Sequence, residues 1–241
     1  MTSISASSLA SAVQTLGADF CGVADLAPAE QLVRQLGGEL AAQFPRAISI
    51  GVALPSAIVD QLGRHEDKAV AWAYRSHGYD AINIRLDQLA SRATSILQQA
   101  GHRAFPVAAS QTVDPEQHFG MFSHKLAAHL AGLGWIGKSC LLVTPQVGPR
   151  VRWVTVLTDA SLETGEPLEE RCGSCTACVD ACPAHAFTGR PFREDEPRSA
   201  RFDVTKCYLY QRKERTYPGS ILCGVCLYVC PYGTRKSRGA S

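Results

Sequence analysis

Eight of the ten cysteines fall into two arrays whose spacing suits iron–sulfur chemistry. Residues 172–183 read CGSCTACVDACP, a C-x2-C-x2-C-x3-C-P run of the kind that holds cubane clusters in bacterial ferredoxins. Residues 223–231 read CGVCLYVCP and repeat its second half. Cys207 stands upstream, so the second array is C-x15-C-x2-C-x3-C-P, the same motif with its first gap widened by an insertion. Three thiolates on one tight loop reach three corners of a cube, whereas the fourth, followed by proline, is turned toward the partner cluster. The spacing predicts one [4Fe–4S] cluster on Cys172, Cys175, Cys178 and Cys230, and a second on Cys182, Cys207, Cys223 and Cys226. Zinc, which also uses paired C-x2-C, and buried structural thiols are the alternatives. Zinc sites seldom need a third cysteine or the C-P ending. Two adjacent cubanes form a relay that carries single electrons at low potential and makes no bonds by itself. Cys21 and Cys140 lie in apolar runs and read as inert core residues.

A second stretch competes for attention. Residues 132–139, GLGWIGKS, satisfy both G-x-x-x-x-G-K-[ST] and G-x-G-x-x-G. A phosphate loop needs a strand before it and a helix after it, so that free amides at the helix N-terminus face the phosphates. Here the helical pattern precedes the octet, and only CLLVT separates Ser139 from Pro145. The flanks argue against nucleotide binding, although WVTVLTD resembles the apolar strand and aspartate of a magnesium site. The bland reading is a tight turn after a helix, with Gly134 and Gly137 supplying positive φ.

The elements that must position these residues alternate from residue 1 to about 160. Ser7 or Ser8 caps a helix ending near Gly17, FCGVADL (20–26) is a short strand, and Pro28 opens a second helix. RAISIGVAL (46–54) reads as a buried strand, and RAFPVAA (103–109) as another. The strongest helical pattern is 81–100, with Ile82, Leu86, Leu89, Ala93, Ile96 and Leu97 on one face and Gly101 at the stop. FSHKLAAHLA (122–131) is helical, and CLLVT with RVRWVTVLT (150–158) forms a hairpin across PQVGP. This order predicts an α/β layered domain with a mixed sheet over residues 1–165. Residues 166–241 form a small cysteine-rich domain without a helix of ordinary length, whose core needs an inorganic centre.

Composition narrows the partners. The 241 residues carry a net charge of +2, so no single-sign field points to nucleic acid or to a membrane surface. The basic tail TRKSRGAS reads as a frayed end. The first eighteen residues hold no Lys or Arg, no apolar run is long enough to span a bilayer, and ten cysteines suit a reducing cytosol. A soluble cytoplasmic protein is expected.

Taken together, HLAGLGWIGKSCLLV, a strand pair, CGSCTACVDACPAHAF, Cys207 and CGVCLYVCP resemble the epoxyqueuosine reductase family and, more distantly, the reductive dehalogenases. LGADFCGVADLAP and FPRAISIGVALP are similar to the opening of that family. The resemblance implies a nitroreductase-like, cobalamin-binding α/β domain followed by a ferredoxin-like domain with two clusters that reduce cobalt. It also implies that Gly134, Trp135, Gly137 and Lys138 line a corrinoid pocket, with Arg150 or Arg152 near its polar groups. No D-x-H-x-x-G stretch is present to supply a histidine ligand to the cobalt.

Two departures from the family pattern matter. The acidic proton donor of the family falls fourteen residues before Gly132, where this chain has His118, and the Glu place of the same stretch holds His124. These imidazoles are the candidate catalytic residues, because they titrate near neutral pH; a histidine beside Lys125 also reads as plain surface. Tyr74 and Tyr79 are weaker candidates that read as packing residues. The chain ends eleven residues after Cys230, without the C-terminal helical repeats that would hold tRNA. The resulting expectation is an iron–sulfur oxidoreductase that passes electrons to a bound corrinoid to reduce an unknown small substrate. The alternative is a corrinoid reductase or activator acting on a corrinoid protein, or an electron-transfer protein, without an organic substrate of its own. The expected partners are a donor such as ferredoxin or flavodoxin and a small molecule, with no tRNA and no membrane.

Overall fold

The computed structural model describes residues 4–116, 118–213 and 222–234; the basic tail beyond Thr234 lies outside them. In chain order the elements are α1 (Ala6–Thr15), β1 (Phe20–Asp25), α2 (Glu30–Ala42), β2 (Arg46–Ala53), α3 (Ser56–Val59) and α4 (Lys68–Ala73). A π-helical stretch, Tyr74–Ala81, leads into α5 (Ile82–Gln99), followed by β3 (Ala104–Val107), α6 (His124–Leu130), β4 (Trp135–Ile136), β5 (Leu142–Val143) and β6 (Val151–Thr158). The cysteine-rich part adds α7 (Ala177–Asp180), α8 (Val204–Lys213), α9 (Val225–Tyr228) and α10 (Pro231–Thr234). No described helix is long and apolar enough to cross a membrane.

The chain divides into two compact units that interleave along the sequence. The first comprises Met1–Val52, Asn83–Gly134 and Arg152–Leu168; the second comprises Ala53–Ile82, Trp135–Val151 and Glu169–Ser241. The sequence suggests one boundary, at 165/166, because composition changes there. The structure also places residues 53–82 and 135–151 with the cysteine-rich part, through contacts too distant in sequence to leave a local pattern.

The first unit is built on a four-stranded sheet of order β1-β2-β6-β3. The β1–β2 and β3–β6 ladders are antiparallel, with Cys21 opposite Ile50 and Val107 opposite Thr155. β6 is apolar almost throughout and lies inside the sheet, and every residue from Trp153 to Thr158 is buried. Each of its large apolar side chains contributes about 1.5–3 kcal/mol by leaving water. α1 is capped by Ser5 in a reciprocal box with Ser8, one turn earlier than the run of serines suggests. α5 ends where Gly101 takes φ +91° and the His102 amide reaches back to the Leu97 carbonyl.

α6 ends in the same way. Gly132 takes φ +74°, its amide donates to the His129 carbonyl, and the Leu133 amide donates to the Ala128 carbonyl. The positive φ of the octet thus belongs to Gly132 and not to Gly134 or Gly137. Gly132 is also packed tightly, since a Cβ there would lie 2.6 Å from the Glu166 carbonyl oxygen.

In the second unit the expected hairpin between CLLVT and RVRWVTVLT does not form. β5 pairs instead with β4, Trp135 opposite Val143. The intervening PQVG makes a tight turn closed by a Thr144–Gly148 bridge. The Thr144 hydroxyl donates to the Gly148 carbonyl and accepts from the Val147 amide, which satisfies the turn locally and leaves the next strand free to join the larger sheet. The insertion in the second cysteine array begins on a helix, α8, with the Asp203 carboxylate accepting from the Lys206 amide in its first turn.

Candidate metal centre

Each of the eight array cysteines lies in the second unit, on helices or on the loops beside them. Cys178 is on α7, Cys207 on α8 and Cys226 on α9, and α7 packs against α9. Most of their mutual electrostatic contacts fall within two fours, with Cys226 and Cys178 linked across them. Cys178 feels Cys172, Cys230 and Cys175, and Cys230 feels Cys175. Cys226 feels Cys223, Cys207 and Cys182, together with Cys178; Cys223 feels Cys207 and Cys182. Burial pushes the thiols of Cys172, Cys178 and Cys223 up to about 11, and raises those of Cys207, Cys226 and Cys230 as well. Gathering thiolates in a poorly solvated place is unfavourable unless a positive centre compensates, and an iron–sulfur core provides one. Among the described residues no three His, Cys, Asp or Glu side chains are grouped to hold a single metal ion. Ligands of a cube each reach a different iron and need not converge on one point. The donor set fits two cubanes.

Amides complete the sulfur environment. The Ala186 amide lies 3.4 Å from Cys182 Sγ, and the Gln211 side-chain amide 3.0 Å from Cys207 Sγ. Backbone N–H groups of Tyr232 and Gly233 face Cys230, that of Val225 faces Cys223, and that of Lys138 faces Cys172. Gly224 takes φ +72° beside Cys223, and a Cβ there would lie 2.8 Å from Leu62 and 2.9 Å from the Tyr74 ring, so glycine is required twice over. Tyr74 is buried as a packing residue.

The octet turns out to back this centre. Gly134 to Ser139 are buried. Lys138 Nζ donates to the carbonyls of Gly173 at 2.6 Å and Cys175 at 3.2 Å, so it braces the first cysteine loop. A Cβ at Gly137 would lie 3.3 Å from Cys172 Sγ. Trp135, 1% exposed, meets Tyr232 edge to face at 4.8 Å, and the Tyr232 hydroxyl donates to the Arg171 carbonyl at 2.8 Å. Arg150 is buried and paired with Asp60 at 2.6 Å. Lys138 and Arg150 are committed to partners inside the protein, which does not suit a corrinoid seat. Asp60, Arg171, Gln211 and Tyr232 were not legible as site residues, although an aromatic directly after the second C-P was a usable signal for Tyr232.

The two candidate histidines lie in the first unit. His124 is partly covered, and both ring nitrogens are engaged, Nδ1 with Thr155 Oγ1 at 2.8 Å and Nε2 with the Ala108 carbonyl at 3.0 Å. A carbonyl only accepts, so Nε2 carries the proton and Nδ1 accepts from the threonine hydroxyl. Burial, with Arg152 adding to it, lowers its pKa to about 4, against a smaller opposing effect of the Ala108 bond and Asp87. The reading of His124 as plain surface is corrected: α6 turns it inward against β6. His118 has φ +53° in a turn where Asp114 bridges Phe119.

Comparison with known proteins adds three findings. The family described as a 4Fe-4S double cluster binding domain matches residues 171–233. Epoxyqueuosine reductase of Lactococcus garvieae (strain Lg2) is 29% identical over 195 residues, 77% of this chain and 51% of that protein. The chain spans about half the length of the curated relatives it matches. In fold, it is similar to an epoxyqueuosine reductase solved with a tRNA-Tyr epoxyqueuosine-modified stem loop, at TM-score 0.60 and 21% identity, covering 95% of this chain and 65% of that one. A reductive dehalogenase described as suggesting a mechanism for B12-dependent dehalogenation gives TM-score 0.64 and 21% identity, covering 91% and 30%. The resemblance read from the sequence is therefore present in both sequence and fold, and the double-cluster match supports iron–sulfur centres.

Two expectations are overturned. An unknown small substrate reduced through a corrinoid, or a corrinoid activator, gives way because the curated relatives are reductases named for epoxyqueuosine. The expected absence of tRNA gives way because a neighbour holds an epoxyqueuosine-modified tRNA stem loop.

Proposed function

We propose that this chain is an iron–sulfur reductase of epoxyqueuosine in tRNA, with one [4Fe–4S] cluster on Cys172, Cys175, Cys178 and Cys230 and another on Cys182, Cys207, Cys223 and Cys226. The observation that supports the reading is the gathering of the eight array cysteines within the segment matched by the double-cluster family. Reducing an epoxide to an alkene breaks two C–O bonds, forms one C=C bond, consumes two electrons and two protons, and releases water. Two one-electron centres hold that pair of electrons together. The chain's own groups supply N–H donors to the cluster sulfurs and brace their loops through Lys138 and Trp135. His118 is the proton donor in this reading, since it stands at the place of the family's acidic donor; His124, neutral at pH 7 and bonded at both nitrogens, positions α6 against β6.

Cobalamin is the narrower part of the proposal, resting on the B12-dependent dehalogenase neighbour. When bound it supplies a strongly nucleophilic metal. The internal contacts of Lys138 and Arg150 speak against the Gly134–Lys138 stretch and Arg150 as its seat. The cytoplasm, reducing and rich in tRNA, is the compartment this reading requires, with a ferredoxin or flavodoxin as electron donor.

The test is anaerobic incubation of the cluster-loaded chain with an epoxyqueuosine-bearing tRNA stem loop and dithionite, with and without cobalamin, followed by mass spectrometry of the nucleoside. Loss of one oxygen is the expected result. Unchanged nucleoside in both arms, with iron and sulfide at full content, overturns the proposal.

A further inference from the structure

The two fours sit in unlike electrostatic surroundings. Against the Cys172 set lies Arg150, whose side chain is 6% exposed. One guanidinium nitrogen bonds Asp60, whereas Nε and Nη2 are buried without a hydrogen-bond partner. Its arm runs along Gly233, where a Cβ would lie 2.7 Å from Nε, and the Gly233 amide donates to the Cys230 carbonyl at 2.9 Å. The buried positive charge therefore acts on Cys230. On the other side, Trp135 Nε1 is buried without a conventional partner and faces Cys172. The half-buried Glu170 opposes them, but its carboxylate is occupied by the Cys172 amide at 2.6 Å.

Around the Cys182 set, the sulfurs receive neutral amides from Ala186, Gln211 and Val225, and the charge acting on Cys223 is the Glu66 carboxylate. Glu66 is reached at 3.4 Å by the hydroxyl of Tyr210, which projects from the same helix as Cys207.

A cluster gains one negative charge on reduction. A buried cation or an N–H aimed at sulfur stabilises the reduced form, and an anion disfavours it. Arg150 is shielded from water while the Asp60 carboxylate is 48% exposed, so its positive end is felt more strongly inside than the negative end of the pair. We propose that the chain holds clusters of unequal potential: Arg150 and Trp135 raise that of the Cys172–Cys175–Cys178–Cys230 cluster, and Glu66 lowers that of the other. Electrons then rest first on the Cys172 cluster, and the Cys182 cluster fills only under stronger reducing conditions.

This rests on the two-cluster reading, and its test separates the two. Iron and sulfide content of the full chain first establishes whether both clusters are present; their absence refutes the cluster reading and is visible before any potential is measured. A dithionite redox titration followed by electron paramagnetic resonance then gives both midpoints. Arg150→Gln is expected to lower the higher midpoint so that the reduced-to-oxidised ratio at fixed potential falls about tenfold, about 59 mV for one electron, with the lower midpoint unmoved. Trp135→Phe gives a smaller shift of the same sign and site, and Glu66→Gln raises only the lower midpoint. Movement of the lower midpoint by Arg150→Gln, or of neither, overturns the assignment. If Arg150→Gln fails to retain clusters, Trp135→Phe and Glu66→Gln decide it: opposite shifts on different clusters support the proposal, and any other pattern refutes it.

Discussion

From Glu169 to Thr234, the apolar side chains buried among the described residues are those of Cys182, Ala186, Val225 and Leu227. A single strand of the first unit, β6, buries Val151, Trp153, Val154, Val156 and Leu157. The sheet unit has enough apolar surface to hold itself together by excluding water. The cysteine-rich segment does not, and burial raises the thiols of Cys172, Cys178, Cys207, Cys223, Cys226 and Cys230. Two kinds of cohesion in one chain imply two kinds of vulnerability.

The sharpest way to break this comparison is to withdraw the iron. Chelation under reducing conditions, or Cys178→Ser combined with Cys226→Ser, should abolish hydrogen-exchange protection across residues 169–234. The amides of β1, β2 and β6 should keep theirs. Equal loss in both regions would show that the sheet unit depends on the clusters as well.

The converse is a cavity in the sheet unit. Leu157 is fully buried, and Leu157→Ala should cost about 3 kcal/mol in chemical denaturation followed by tryptophan fluorescence, with iron per chain unchanged. A fall in iron content would couple the two regions.

Acid offers a smaller effect. His124 binds its proton at about 4 in the folded chain and near the ordinary value of 6.5 when unfolded. Between those values the unfolded chain takes up a proton that the folded one does not. The stability it confers is therefore complete above about pH 6.5 and lost as the pH falls toward 4, by about 2 kcal/mol after allowing for partial exposure. Replacing His124 with Gln should flatten that part of the stability profile. The smallest change is expected at Cys21, whose thiol burial pushes up to about 12. Cys21→Ser should leave iron content unaltered and stability within about 1 kcal/mol.

What could be read in advance follows the range of the forces involved. α5 with its Gly101 stop, and strands β1, β2 and β6, carry their periodicity and end signals within a few neighbouring residues. The pairing of β5 with β4 was hidden because two-residue strands have no period to detect. The inward turn of His124 depends on a threonine on β6, thirty-one residues away. α8 was missed because its sequence, VTKCYLYQRK, has a weak apolar stripe and is placed by its cysteine and its Asp203 cap. The double-cluster segment was legible from cysteine spacing alone, since ligand geometry constrains sequence directly. Its neighbours Arg150, Trp135 and Asp60 were not.

The interleaving of the two units also sets an order of events during synthesis. Asp60 meets Arg150 across 90 residues, and His65 meets Tyr210 across 145. Segments made early must therefore wait, partly unpaired, for partners synthesised much later, and contacts of such long range form slowly. Cutting this chain at the change in composition near residue 165 would strand residues 53–82 and 135–151 without the cysteine loops they pack beside, so a soluble fragment of either half is not to be expected from a single cut.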